Sequence, residues 1–263
     1  MIEAIHINSI DLPIKERRIK KYILVWCSEG EIEMEIDSVN FKVPANHAVT
    51  ITSGQFHKFI ETPNAKGIAL QFTYDFFCKD DKDIELIFQN GLFCHFDLNT
   101  VIEVSEHPAI AIHLDGIIRE LKEKPYQYLS SIHARIELIL IEINRAKIQQ
   151  GEEIWKPDAL FLKFLELIRA EFQHSLPVKY YAERLETTEV RLNELSKQHA
   201  GKTAQQIIHG LIVSEAKRLF YYEKLSVKET SYALGFNDPF YFSNFFKKHT
   251  ALSPQLFKEQ VEN

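Results

Sequence analysis

The chain has 263 residues, 45% hydrophobic and 26% charged, with a formal net charge of −6, which is enough for one large globular domain or two ordinary ones. It contains no run of about 18 apolar residues to cross a bilayer, and its opening stretch, MIEAIHINSIDLPIKERR, lacks the apolar core and cleavage site of a signal peptide, so a cytoplasmic protein with no membrane partner is expected. Three cysteines, Cys27, Cys78 and Cys94, are odd in number and lack CxxC spacing, which points to neither a disulfide framework nor a zinc ribbon.

The first hundred residues are rich in short apolar runs. YILVWC (22–27) and EIEMEI (31–36) bracket SEG and read as a hairpin, the second run alternating apolar and acidic residues with period two. FKVPANHAVTI (41–51), FHKFI (56–60) and GIALQFT (67–73) continue the pattern with Pro, Asn or Gly breaks, the signature of a sandwich or small barrel. Beyond about residue 100 the period changes. HPAIAIHLDGIIRELKE (107–123) spaces Ile110, Leu114, Ile117, Ile118 and Leu121 as a helix does, and SIHARIELILIEINRAKIQ (131–149) is apolar around much of its circumference. Two such helices suit a homodimer interface; packing on the barrel accounts for them too. QQGEEIWKP (149–157) is the natural boundary, since its Pro stops a continuing helix. The expected division is 1–150 and 158–263.

The second part reads as helical throughout. In GFNDPFYFSNFFKKHT (235–250), Asp238 is an N-cap acceptor and Pro239 fits the first helical position. At 100° per residue, Phe242, Phe245, Phe246 and His249 share an inward face, while Phe240, Ser243, Asn244, Lys247 and Lys248 lie outward. The preceding SVKETSYALGF (226–236) is a short helix ending at Gly235, so helix, glycine turn and capped helix form a helix-turn-helix. The device occurs fifty residues earlier in VKYYAERLETTEVRLNELSKQHAGKT (178–203), where Val190, Asn193, Glu194 and Lys197 correspond to Phe240, Ser243, Asn244 and Lys247. AQQIIHGLIVSEAKRLFYYEK (204–224) joins the two as one long helix. Two recognition helices on such a connector could enter successive major-groove segments, about 34 Å apart.

LSVKETSYALGFNDPFYFSNFFKKHTALSPQLFK resembles the C-terminal signature of the AraC/XylS family of bacterial transcription regulators: the Gly-Phe turn, Asp-x-x-x-Phe-Ser, Phe-Lys-Lys, and Ser-Pro followed by an aromatic. AKRLF (216–220) and KTAQQII (202–208) are similar to that family's connecting helix, and the likeness covers roughly 160–258. The first part resembles, in pattern only, the cupin-like sensor and dimerisation domain of many members, with SGQFHKF (53–59) the nearest shared string. The resemblance implies an α+β chain of two domains: a cupin-like barrel or sandwich with two long helices, then an all-α domain with two helix-turn-helix units. It implies sequence-specific binding to double-stranded promoter DNA, recruitment or blocking of RNA polymerase, and a small-molecule effector. By position the base-facing residues are Val190, Asn193 and Glu194 in the first unit and Pro239, Phe240, Ser243 and Asn244 in the second; Arg191, Lys197, Lys247 and Lys248 are placed for phosphates. Asn pairs with adenine, Glu accepts from cytosine N4, and Phe meets a thymine methyl. Four positions depart from the pattern: Glu194 and Asn244 stand where arginine is frequent, Ser231 where alanine is usual, and Ala251 where a glycine often follows the last helix. An altered turn is expected at Ala251.

Charge is unevenly spread, with 14 Lys and Arg against 13 Asp and Glu from Asp158 onward and 17 against 24 before it, so any phosphate-binding half is the second. His57 is the candidate lining an effector pocket. It stands ten residues from His47 with no H-x-H pair, which does not supply the converging ligands a metal needs, so no metal or other cofactor is expected. No Ser-His-Asp, Walker or dinucleotide signature is present, and an enzyme is not expected. Two alternatives remain at this level: a cupin-type metalloenzyme with a helical appendage, and a regulator-like fold serving as a protein-interaction module.

Overall fold

A computed structural model describes residues 2–8, 17–37, 39–60, 64–93, 99–151, 157–171 and 176–262; Cys94, His95 and the part of the expected linker at 152–156 lie outside them. The chain divides into two compact units, Met1–Pro157 and Asp158–Asn263.

The first unit contains β1 (Ile2–Ile7), β2 (Arg17–Arg18), β3 (Tyr22–Glu29), β4 (Glu31–Ile36), β5 (Val39–Pro44), β6 (His47–Ile51), β7 (Phe56–Phe59), β8 (Lys66–Phe72) and β9 (Val101–Glu103). They form a five-stranded sheet, β1-β8-β3-β6-β9, and a four-stranded sheet, β2-β7-β4-β5, with antiparallel pairing throughout. Period-two alternation sets which side chains meet between the sheets. Ile23, Val25, Val49, Ile51 and Ala69 of the larger sheet join Ile32, Met34, Ile36 and Phe59 of the smaller one in one buried cluster. The outer face of the larger sheet carries Tyr22 and Phe72, which pack on Phe88, Phe93 and Phe77, the Tyr22 and Phe93 ring centroids 5.2 Å apart. Each such buried aromatic contributes roughly 1.5–3 kcal/mol by leaving water.

The β3–β4 hairpin turns at Gly30, whose φ of 72° and 2.7 Å clearance between an added Cβ and the Asn64 carbonyl oxygen admit only glycine. Asn46, with φ 60°, separates β5 from β6 inside the run expected to be strand from 41 to 51. Helices α1 (Tyr74–Phe77), α2 (Asp81–Phe88), α3 (Ala109–Glu123) and α4 (Tyr128–Gln149) follow. Pro108 fixes the start of α3, and of its five spaced residues Ile110, Leu114 and Ile117 are buried while Ile118 and Leu121 are half-covered. β1, β2, β9, α1 and α2 were not anticipated. They are edge or very short elements, and two to eight residues carry too little periodicity to stand out.

The second unit has seven helices among the described residues: α5 (Ala159–Glu171), α6 (Val178–Arg184), α7 (Glu189–Ala200), α8 (Ala204–Tyr221), α9 (Val227–Ala233), α10 (Pro239–Thr250) and α11 (Pro254–Glu262). α8 ends three residues short of the expected Lys224, where Lys224 takes a left-handed φ of 53°. Phe161, Phe164, Leu165, Tyr181, Leu192 and Leu195 are buried around the first helix pair. Phe220, Phe236, Phe242, Phe246 and Phe257 form a continuous ring cluster around the second. Phe245, expected with them, is only half-buried: its ring lies at the α8–α10 seam against His209, His249 and Phe236.

Candidate nucleic-acid interface

Two local devices set α7 and α10. Thr188 accepts from Arg191 N at 3.1 Å and Asp238 from Phe240 N at 2.9 Å, so each helix starts at a capping side chain. Each then ends on a left-handed residue, Gly201 (φ 62°, ψ 12°) and Ala251 (φ 62°, ψ −4°). The turn at Ala251 is therefore not altered as expected. Alanine adopts the glycine conformation, at a cost of about 1–2 kcal/mol. Caps and ends repeat at an offset of fifty residues.

Between α6 and α7 the chain turns through Glu186 (φ 51°), and Thr187 N donates to Ala182 O at 2.9 Å. Between α9 and α10 it turns through Gly235 (φ 78°), and Phe236 N donates to Ser231 O at 3.0 Å. The two bends are built alike, although one uses a non-glycine residue.

The outward residues divide by availability. Val190 is 68% exposed and Phe240 73%, and Glu194, Lys197, Asn244, Lys247 and Lys248 are also exposed. Pro239 is half-covered at the first position of α10. Arg191 is exposed but engaged, 3.5 Å from Asp158 Oδ2 and 3.6 Å from Glu194 Oε2; such surface pairs hold about 0–1 kcal/mol and yield readily to a phosphate. Asn193 and Ser243 are half-buried, and both spend their polar atoms inside the protein. Asn193 donates from Nδ2 to Glu189 O at 2.9 Å and accepts at Oδ1 from Ala204 N at 3.1 Å, tying α7 to the first turn of α8. Ser243 donates to Pro239 O at 2.8 Å, one turn back in its own helix.

His57 lies in the other unit, on β7. Arg17 Nε donates to its Nε2 at 3.0 Å, and burial pushes its pKa down to about 4. Among the described residues one group has metal-ligand character, Asp83, His133 and Glu137; it joins α2 to α4 through His133 Nε2 contacts to Phe77 O at 2.8 Å and Asp83 Oδ2 at 3.1 Å.

Sequence reasoning missed Tyr241, 69% exposed in the first turn of α10. It stands seven residues from Lys248, on the same side of the helix, and that spacing was the available signal. It also missed the seam where His209 and His249 rings lie 4.7 Å apart. Burial, the charge of His249 and Lys248 hold the His209 pKa low; burial and Lys248 do the same for His249.

Residues 181–260 match the family model described as a helix-turn-helix domain. The chain is similar to the xylose operon regulatory protein of Haemophilus influenzae, 31% identical over 101 residues, covering 38% of this chain and 26% of that protein. It is also similar to the HTH-type transcriptional activator RhaR of Cronobacter sakazakii, 28% identical over 100 residues, covering 36% of this chain and 35% of that protein. The chain thus spans about a quarter to a third of the length of these relatives. The solved structure of ToxT from Vibrio cholerae aligns over 99% of this chain and 97% of its own, at 14% identity and a TM-score of 0.45, a likeness too weak to carry a conclusion.

Proposed function

We propose that this chain, which belongs to the AraC/XylS family of transcription regulators by its helix-turn-helix domain, binds promoter DNA sequence-specifically through α7 and α10. The observation that carries the reading is the repeated recognition helix: cap to cap and end to end at fifty residues, with outward faces joined by one long helix. Lys197, Lys247, Lys248 and Arg191 dock on phosphates. Val190, Glu194, Pro239, Phe240 and Asn244 face base edges, with Phe240 suited to a thymine methyl and Asn244 to adenine. Asn193 and Ser243 hold these helices in place and read bases only by giving up internal hydrogen bonds. DNA-bound protein recruits or blocks RNA polymerase.

The first unit is read as a cupin-like sensing and dimerisation domain, and a homodimer places two DNA-binding units on repeated half-sites. What supports dimerisation is α4, where Ala134, Leu138 and Ile148 stand exposed on one helical face beside Ile141, with Ile112 exposed on α3. No catalytic role is assigned.

The test is titration of the purified chain on promoter fragments at several salt concentrations. A preferred fragment should emerge, and log affinity should fall linearly with log salt. Lys247→Gln or Lys248→Gln should weaken binding on every fragment and reduce the slope by about one, whereas Asn244→Ala should relax preference at one base position. No preferred fragment at any salt would sink the reading.

A further inference from the structure

Three elements of the first unit bring ligand-type atoms to one imidazole. His133 lies near the start of α4, and Glu137 follows it by four residues on the same side of that helix. Phe77 closes α1, and Asp83 stands in the first turn of α2. Phe77 O is 2.8 Å from His133 Nε2 and Asp83 Oδ2 is 3.1 Å from it, while Glu137 Oε2 is 3.5 Å from Nδ1. The Phe77 ring stacks on the imidazole, centroids 5.0 Å apart, and fixes its plane. One ligand atom from each of Asp83, His133 and Glu137 falls within 4.8 Å of the others.

The charges there do not balance. Asp83 is only 4% exposed, and a carboxylate buried that far needs a counter-charge or a full set of donors. Among the described residues its Oδ2 meets Lys79 N at 2.9 Å and His133, and its Oδ1 meets no donor. His133 is its one ion-pair partner there, and the same holds for Glu137. Two carboxylates thus share one imidazole, which carries at most one positive charge. Nor does a single Nε2 proton serve two oxygens well, because a hydrogen bond weakens steeply away from its line. A divalent cation answers both shortfalls: it matches two carboxylates in charge and takes lone pairs from nitrogen, carboxylate and carbonyl at once. Ligands about 2.0–2.1 Å from zinc stand roughly 3.3 Å from one another, close to the 2.8 and 3.1 Å found around Nε2.

We propose that Asp83, His133 and the Phe77 carbonyl hold a divalent first-row transition cation such as Zn²⁺, and that Glu137 orients His133. The imidazole binds through its Nε2 lone pair and keeps its proton on Nδ1, facing Glu137; a carboxylate behind a metal-bound histidine fixes the ring in this way. The Glu137 side chain is 39% exposed, which gives the cation a way in and a water its place in the shell. An imidazole ligand favours zinc, nickel or copper over magnesium and calcium, which prefer oxygen alone. The bound cation ties the α1–α2 segment to α4. The site lies within the first unit and is independent of how α7 and α10 are used.

The experiment uses the full chain, stripped with EDTA, dialysed, and titrated with Zn²⁺ by calorimetry and thermal unfolding, with Mg²⁺ and Ca²⁺ as comparison cations. One Zn²⁺ per chain should bind at micromolar concentration and raise Tm by several degrees at saturation; Mg²⁺ and Ca²⁺ should do neither. Asp83→Asn and His133→Gln should abolish the response, and Glu137→Gln should weaken affinity by about 10–100-fold. Co²⁺ in place of zinc should give visible absorption bands that His133→Gln removes. His209 and His249 form another close histidine pair, so His249→Gln is the control and should change nothing. Asp83 and His133 also brace α2 against α4, and their variants can lose stability for that reason. Glu137→Gln, on a half-exposed residue, keeps the fold, and its titration decides if the other two do not. No saturable Zn²⁺ binding, an equal response to Ca²⁺, undiminished affinity in Glu137→Gln, or binding lost in His249→Gln would overturn the proposal.

Discussion

Ser231 is fully buried on α9, and its Oγ meets no hydrogen-bond partner, at the position where the family resemblance leads one to expect alanine. A buried hydroxyl left unsatisfied costs about 1–3 kcal/mol of desolvation. Ser231→Ala should therefore stabilise the protein by about 1 kcal/mol, seen as a Tm rise of a few degrees in thermal unfolding; an equal or lower Tm would show that the hydroxyl is bonded in solution. His57 gives the pH prediction. Its folded pKa of about 4 lies below the ordinary 6.5, so between those values the unfolded chain takes up a proton that the folded chain refuses. Stability is full above pH 6.5 and falls as pH drops toward 4, by roughly 2–3 kcal/mol for this one group. In urea melts from pH 7 to pH 4, His57→Gln should flatten that loss relative to the unmutated chain. The histidines at the α8–α10 seam act in the same direction, so part of the slope should survive.

α7 and α10 were legible as capped helices because the signals are local: Thr188 and Asp238 sit next to the backbone they cap, and Gly201 follows the helix it ends, whereas the left-handed end at Ala251 ran against the altered turn expected there. Their inward faces were mostly legible too, since 100° periodicity places Leu192, Leu195, Phe242 and Phe246 without knowledge of partners. The outward faces were less so. A helical wheel treats Asn193 and Ser243 as solvent-facing, but partners one turn back and across a helix junction claim their polar atoms. Asn193 should consequently behave as a brace. Asn193→Ala should lower stability by about 1 kcal/mol and weaken binding similarly on all DNA fragments. A loss confined to one base position, with Tm unchanged, would make it a reader instead.

The whole molecule combines two units with different chemistry, and the charge asymmetry follows the division: the part from Asp158 onward is nearly neutral, and the part before it is acidic. On the proposed reading, phosphate attraction has to come from placed lysines and not from bulk charge. Dimerisation is a prediction at this scale. If the exposed face of α4 joins two copies, Leu138→Glu should convert a sedimenting dimer to monomer without unfolding it; a mass unchanged by the substitution would remove α4 from the interface. Sequence by itself determined the β-rich and helical parts and the repeated helix-turn-helix, because periodicity, caps and turns act over a few neighbouring residues. The family resemblance followed from those same local motifs. Only the tertiary structure decided which polar side chains are spent and which are spare. Asn193 is used up by Ala204, and Arg17 and Gln71, fifty-four positions apart, face one interior with donors left over. That outcome depends on sheet register and on burial contributed by distant strands, and no local pattern in the chain encodes either.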